Sequence, residues 1–121
     1  VPEDFETGDP LADANEWWLA WESYIFFKIE GKFDKNENGI MDEPIALHSG
    51  SDAAFTTVEL EDNIQVRADQ TVNVDLNIDF YEFFTYEGIY NLDSVSIIHH
   101  KPKTPSAIEI AGRLANSFSV E

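Results

Sequence analysis

Two stretches of this chain alternate apolar and polar residues with a period of two, and that period constrains the fold more than any other feature. From Tyr24 to Phe33, Ile25, Phe27, Ile29, Gly31 and Phe33 fall on one side, with Lys28, Glu30 and Lys32 opposite. From Thr71 to Phe80, Val72, Val74, Leu76, Ile78 and Phe80 oppose Asn73, Asp75, Asn77 and Asp79. Each is a strand with one dry and one wet face, which needs a sheet partner and a cover. After the Gly-Ser punctuation at 49–51, AFTTVEL (54–60) and NIQVRA (63–68) read as two short strands joined through Glu61 and Asp62, a plausible hairpin. FYEFF reads as an aromatic knot of one helical turn. VSIIHH places Val95, Ile97 and His99 on one face and Ser96, Ile98 and His100 on the other. The period then changes: Ile108, Ala111, Leu114, Ala115 and Phe118 recur at threes and fours, with a capping box at Ser106-x-x-Glu109 and Thr104-Pro105 just ahead. The spacings between strands are too short for crossover helices. The predicted fold is all-β, an antiparallel β-sandwich of Ig-like or Greek-key type, with one short C-terminal helix. Residues 1–15 read as an acidic linker and 16–121 as the domain.

At 121 residues the chain fits one domain, able to bury roughly two-thirds of its unfolded surface. Seven Lys and Arg against 24 Asp and Glu give a net charge of −17, which repels phosphate backbones and anionic membranes and gathers cations. Nucleic acid is excluded as a partner on this ground. With no cysteine, a metal has only oxygen, nitrogen or thioether donors available. No run approaches the roughly 20 apolar residues of a membrane span, so no membrane insertion is expected. The opening VPEDFETGDP lacks the basic and apolar regions of a signal peptide and reads as a trimmed linker, from which a leader or lipid anchor has been removed.

The turn FDKNENGIMDE carries a more specific pattern. A calcium loop sets oxygen donors on alternate residues and a glycine after the third, where the backbone turns sharply. Asp34, Asn36, Asn38 and Gly39 supply that order, Ile40 its carbonyl, and Asp42 a direct or water-bridged contact. The twelfth position of an EF-hand holds a bidentate Glu where this chain has Ile45, and a strand precedes the loop, so an EF-hand is rejected. The order looks like the shorter extracellular calcium loops of the thrombospondin-type-3 and excalibur kinds, with Glu43 completing the shell. A solvated β-turn built from the same Asp, Asn and Gly residues is the competing reading.

The chain has three histidines, His48, His99 and His100. Imidazoles without thiolates suit copper, nickel or zinc. Neighbouring residues on a strand point to opposite faces, so the sensible pair is His48 with one of His99 and His100. The competing reading leaves His48 packed in a turn and the pair at a solvated strand end. Trp17, Trp18 and Trp21, with Tyr24, either cover a core edge or form an aromatic platform for a sugar.

A tryptophan before FFKIEGKFD, the Asn/Asp/Gly turn, LHSGSD with its His-x-Gly, VNVDLNIDF running into a Phe-rich knot, a histidine-bearing segment and a closing IAGRLANSF come in an order that resembles one family. This order, over about residues 15–118, resembles the MbnP family of periplasmic copper-binding proteins, known beside methanobactin systems and of the Bacteroidetes type. The resemblance implies a secreted or periplasmic β-sandwich that binds copper through histidines, in some relatives assisted by an oxidised tryptophan. It matches His48 to the histidine of the His-x-Gly turn, His99 or His100 to the late histidine, and Trp21 to the tryptophan before the first strand. Met41 is the one thioether if a soft third ligand is needed, though its place in the acidic loop also suits packing.

No nucleophile elbow, phosphate loop or metallohydrolase motif occurs, and with 24 acids no carboxylate pair stands out, so an enzyme is not expected. The expected function is copper binding or handling in the periplasm or outside the cell, with a structural Ca²⁺ loop and another periplasmic or outer-membrane protein as partner. The alternatives are a calcium-stabilised cell-surface adhesion module and a carbohydrate-binding module using the tryptophans.

Overall fold

The computed structural model describes residues 1–99 and 103–120. It is mostly β, with two sheets and one main helix. The chain divides into two compact units, Val1–Phe55 with Asn91–Ala111, and Thr56–Tyr90 with Gly112–Glu121.

The first unit holds a four-stranded sheet built from β1 (Trp17–Trp18), β2 (Ser23–Phe33), β3 (Glu43–Gly50) and β5 (Ile97–Ile98), in the order β1-β2-β3-β5. From Phe27 onward the alternation of β2 is realised as the sequence indicates, while a register shift sets Ile25 opposite Gly50, on the face of His48. Ile29 pairs with Leu47 and Phe27 with Ser49 across the β2–β3 ladder, while Lys28 pairs with His48 on the opposite face. A bulge between Ile25 and Phe27 absorbs Phe26, whose exposed ring meets the edge of the exposed Phe55 ring at 5.5 Å. Leu47 and Ile98 are fully buried, a burial worth about 1.5–3 kcal/mol each. The main helix α2 (Thr104–Ser117) buries Ala107, Ile110 and Ala111 in this unit, and Ser49 Oγ donates to the Ala107 carbonyl at 3.2 Å. That bond fixes the helix to the Leu47/Ser49 face and leaves His48 on the other.

Two features depart from the expected antiparallel sheet. β3 and β5 pair in parallel, because a long connection separates them and lets the chain re-enter in the same direction. Thr104 and Pro105 lie inside α2 rather than ahead of it; the first turn tolerates proline because its amide would have no helical partner there. Residues 1–15 form two short 3₁₀ turns, Pro2–Asp4 and Pro10–Ala12. Tyr24 donates its hydroxyl to the Leu11 carbonyl at 2.6 Å and meets the Phe5 ring edge-on at 6.4 Å.

In the second unit, β4 (Leu76–Ile78) pairs antiparallel with β6 (Phe118–Val120). Between them in sequence lies α1 (Phe80–Thr85), the single short helix expected of FYEFF. Asp79 caps it by accepting from the amides of Tyr81 and Glu82 at 2.8 and 3.1 Å. Phe83 is fully buried against the edge of Phe84, and Arg113 donates to the Gly88 carbonyl while lying 5.2 Å over the Tyr90 ring. The hairpin expected of AFTTVEL and NIQVRA does not form: residues 56–75 carry no strand, and only three residues of the second alternating run join a ladder. An alternating segment becomes a strand only where a partner takes up its amides and carbonyls, and here β6 is three residues long. Among the described residues no helix is long and apolar enough to cross a membrane.

Candidate metal centre

The parallel ladder between β3 and β5 sets Ala46 beside Ile97 and Leu47 beside Ile98. One step further the same register sets His48 beside His99. Side chains alternate across a strand, so the two imidazoles emerge on the face opposite the buried Leu47 and Ile98. Their ring centroids lie 5.8 Å apart with a tilt of 43°. Trp18, held in β1 by its pairing with Ser23, turns its ring edge-on to both, at 6.3 Å from His48 and 5.8 Å from His99.

Glu30 completes the group. On β2 it stands two residues from Lys28, the direct partner of His48, so it reaches the imidazole along the diagonal, a distance open to long side chains. Glu30 Oε1 and His48 Nε2 are 2.8 Å apart. A carboxylate only accepts, so Nε2 carries the proton, and in the neutral ring Nδ1 then holds a lone pair. Nδ1 is buried and has no hydrogen-bond partner, and the same is true of Trp18 Nε1. A buried polar atom left unmet costs about 1–3 kcal/mol; Trp21 Nε1 is unmet as well, and an indole N–H has no lone pair, so in this cluster the atom available to a cation is His48 Nδ1. Lys28 does not compete for Glu30, since its ammonium pairs with Glu16 at 3.0 Å.

The donor set fits a metal of low coordination number. Two imidazoles on one ion, with metal–nitrogen bonds of about 2.0–2.1 Å, keep their ring centres within about 6.3 Å. The 5.8 Å between His48 and His99 satisfies that limit. Among the described residues no group of three or more His, Cys, Asp or Glu is placed to hold a metal. Calcium takes six to eight oxygens, a donor type that two imidazoles do not supply.

His48 and His99 thus come together, while His100 lies outside the described residues. Trp21 is elsewhere: it is 4% exposed and lies across Gly50, where an added Cβ would overlap its ring. The indole beside the histidines is Trp18, and sequence reasoning missed both it and Glu30. The alternation of β2 put Glu30 on the wet face, but its diagonal to His48 needed the ladder register. Trp17 packs edge-on against Tyr24 at 5.0 Å, so the three indoles face three different neighbours. Met41 is 63% exposed in the β2–β3 turn.

In that turn Asp34 accepts from the amides of Asn38 and Gly39, and Asn38 Oδ1 from the amide of Ile40 at 2.9 Å. Glu37 and Gly39 take positive φ values of 54° and 85°. Asn36, Asn38, Ile40 and Asp42 are exposed, and Asp34 and Glu43 half-buried. The carboxylates of Asp34, Asp42 and Glu43 do not form a three-ligand group.

No curated protein and no solved structure matches the chain at significance. The family model MbnP matches residues 2–102, which span all of β1, β2, β3 and β5 and both imidazoles of the pair, and the chain belongs to the MbnP family.

Proposed function

We propose that this chain is a periplasmic or extracellular metal-binding protein, not an enzyme, that takes copper on His48 and His99 beside Trp18. The observation that carries the reading is the pair of imidazoles 5.8 Å apart, one with a buried, unpartnered Nδ1. Two nitrogen donors suit Cu(I), a closed-shell ion content with few ligands, and imidazole is an accepted copper ligand. The −17 charge supports the reading by raising the local concentration of cations. The edge-on contacts of Trp18 with both imidazoles support Trp18 as the tryptophan of this centre, whereas the sequence matched Trp21 to the tryptophan before the first strand. Another periplasmic or outer-membrane protein is the expected partner in such handling. The sandwich arrangement of Ig-like or Greek-key type is part of the same proposal.

The test is metal analysis of protein purified without chelators, then loaded with Cu(I) and desalted. One copper per chain is expected, lost in His48→Ala and in His99→Ala. Full retention in both variants would refute the site.

A second reading concerns Ca²⁺ at Asp34, Asn36, Asn38, Ile40, Asp42 and Glu43. It is favoured by Asp34 holding the amides of Asn38 and Gly39, with Gly39 at the positive φ such loops require. Calorimetric titration with Ca²⁺ decides it: heat in the native protein, absent in an Asp34→Ala, Asn38→Ala double variant, supports a calcium-stabilised module. No heat in the native protein leaves a polar turn.

A further inference from the structure

We infer that Glu30 is the positioning residue of this centre: it fixes His48 in the Nε2–H tautomer and so presents Nδ1 as the donor atom. The inference rests on the proposed metal site and goes beyond it, to how one ligand is selected and aimed.

The geometry points to a chosen contact rather than a surface ion pair. The His48 side chain is 9% exposed and the Glu30 side chain 63%, so a carboxylate at the surface reaches inward to a buried ring. The contact at 2.8 Å is within the range of a charge-assisted hydrogen bond. Two lysines stand two residues away on its own strand, Lys28 and Lys32, and Glu30 pairs with neither. Lys28 instead pairs with Glu16, which arrives from the start of β1. Glu30 is left to the imidazole, in a chain where acids outnumber bases 24 to 7 and most carboxylates have no cation to meet.

The consequence for His48 follows from its two nitrogens. A neutral imidazole has one N–H and one lone pair, and whichever nitrogen donates decides which can ligate. With Nε2–H committed to Glu30, the lone pair sits on Nδ1, the atom that is buried and unbonded. Without Glu30 the proton is free to move to Nδ1, and Nε2 would then carry the lone pair toward β2 and away from the cluster. Ligating histidines commonly donate their second nitrogen to a carboxylate, and loss of that partner typically costs 10–100-fold in metal affinity.

Glu30→Gln keeps the length and shape of the side chain but lets its amide either accept from Nε2–H or donate to Nε2. The first measurement is the tautomer of His48 in the metal-free protein, from long-range ¹H–¹⁵N spectra at a pH where imidazole is neutral, assigned by the signals lost in His48→Gln. Native protein is expected to show Nε2–H alone, and Glu30→Gln a mixture or the reverse. The second is Cu(I) affinity by competition with a chromogenic chelator, expected to fall roughly 10–100-fold in Glu30→Gln. A native His48 that carries its proton on Nδ1, or a Glu30→Gln protein with unchanged tautomer and affinity, overturns the inference. A native protein that binds no Cu(I) would remove the proposed function alone, because the tautomer measurement uses no metal.

Discussion

Gly50→Ala is the sharpest perturbation of the frame that carries the two imidazoles. An added Cβ at Gly50 would overlap the six-membered ring of Trp21 and stand 2.9 Å from the Tyr24 carbonyl oxygen. The backbone oxygen cannot yield without breaking the sheet, and the indole is 4% exposed with nowhere to move. Overpacking of this kind costs about 1–3 kcal/mol. For a chain of this size each kilocalorie lowers Tm by about 4 °C, so a fall of roughly 4–12 °C is expected by scanning calorimetry. The double-mutant cycle isolates the cause. In a Trp21→Ala background the overlap with the indole is gone and only the 2.9 Å approach to the Tyr24 carbonyl oxygen remains, so Gly50→Ala should cost clearly less than it does in the native background. A full penalty in that background would show that Trp21 does not lie over Gly50, and the packing described for this end of β3 would fall.

Other outcomes follow from single contacts. Leu47→Ala, at a fully buried site, should cost about 2–5 kcal/mol by chemical denaturation, whereas a loss under 1 kcal/mol would contradict its burial between β2, β5 and α2. Asp79→Ala removes the acceptor for two amides at the start of α1; hydrogen exchange at Tyr81 and Glu82 should quicken, with about 0.5–2 kcal/mol lost. The Tyr24 phenol is held above its ordinary pKa by partial burial first, then by the negative charges of Asp4, Asp9 and Glu3. Its neutral form is the one favoured by the fold, so the stability it contributes is complete below the unfolded value of about 10 and declines as pH rises past it. Ultraviolet difference titration of native protein against Tyr24→Phe reads this, and a phenol ionising below the ordinary value would contradict it.

How far the sequence could be read depended on whether a pattern was local. The period of β2 and of α2 is local, so the shared face of Phe27 and Ile29 was visible without coordinates, whereas the bulge that turns Ile25 to the other face was not. The pairing of His48 with a later histidine was also visible, from the alternation of side chains at His99 and His100. What selects His99 is the parallel register with β5, and two strand residues at Ile97–Ile98 carry no periodic signal of their direction. The choice of Trp18 over Trp21 has the same origin: both precede β2, and only the β1–β2 register and the bare backbone of Gly50 separate their roles. The runs at 54–60 and 63–68 read as short strands between turn signals, yet such a run says nothing of whether a partner strand is present. Asp34 was legible as either a calcium ligand or a turn acceptor, because both uses ask for the same oxygen in the same place.

The most direct test of the centre is a titration of Cu(I), a diamagnetic ion, into ¹⁵N-histidine-labelled protein, following the ring signals of His48 and His99. Both should shift together and stop moving at one equivalent. A shift of one ring alone, or of neither, would mean that the two imidazoles do not share an ion.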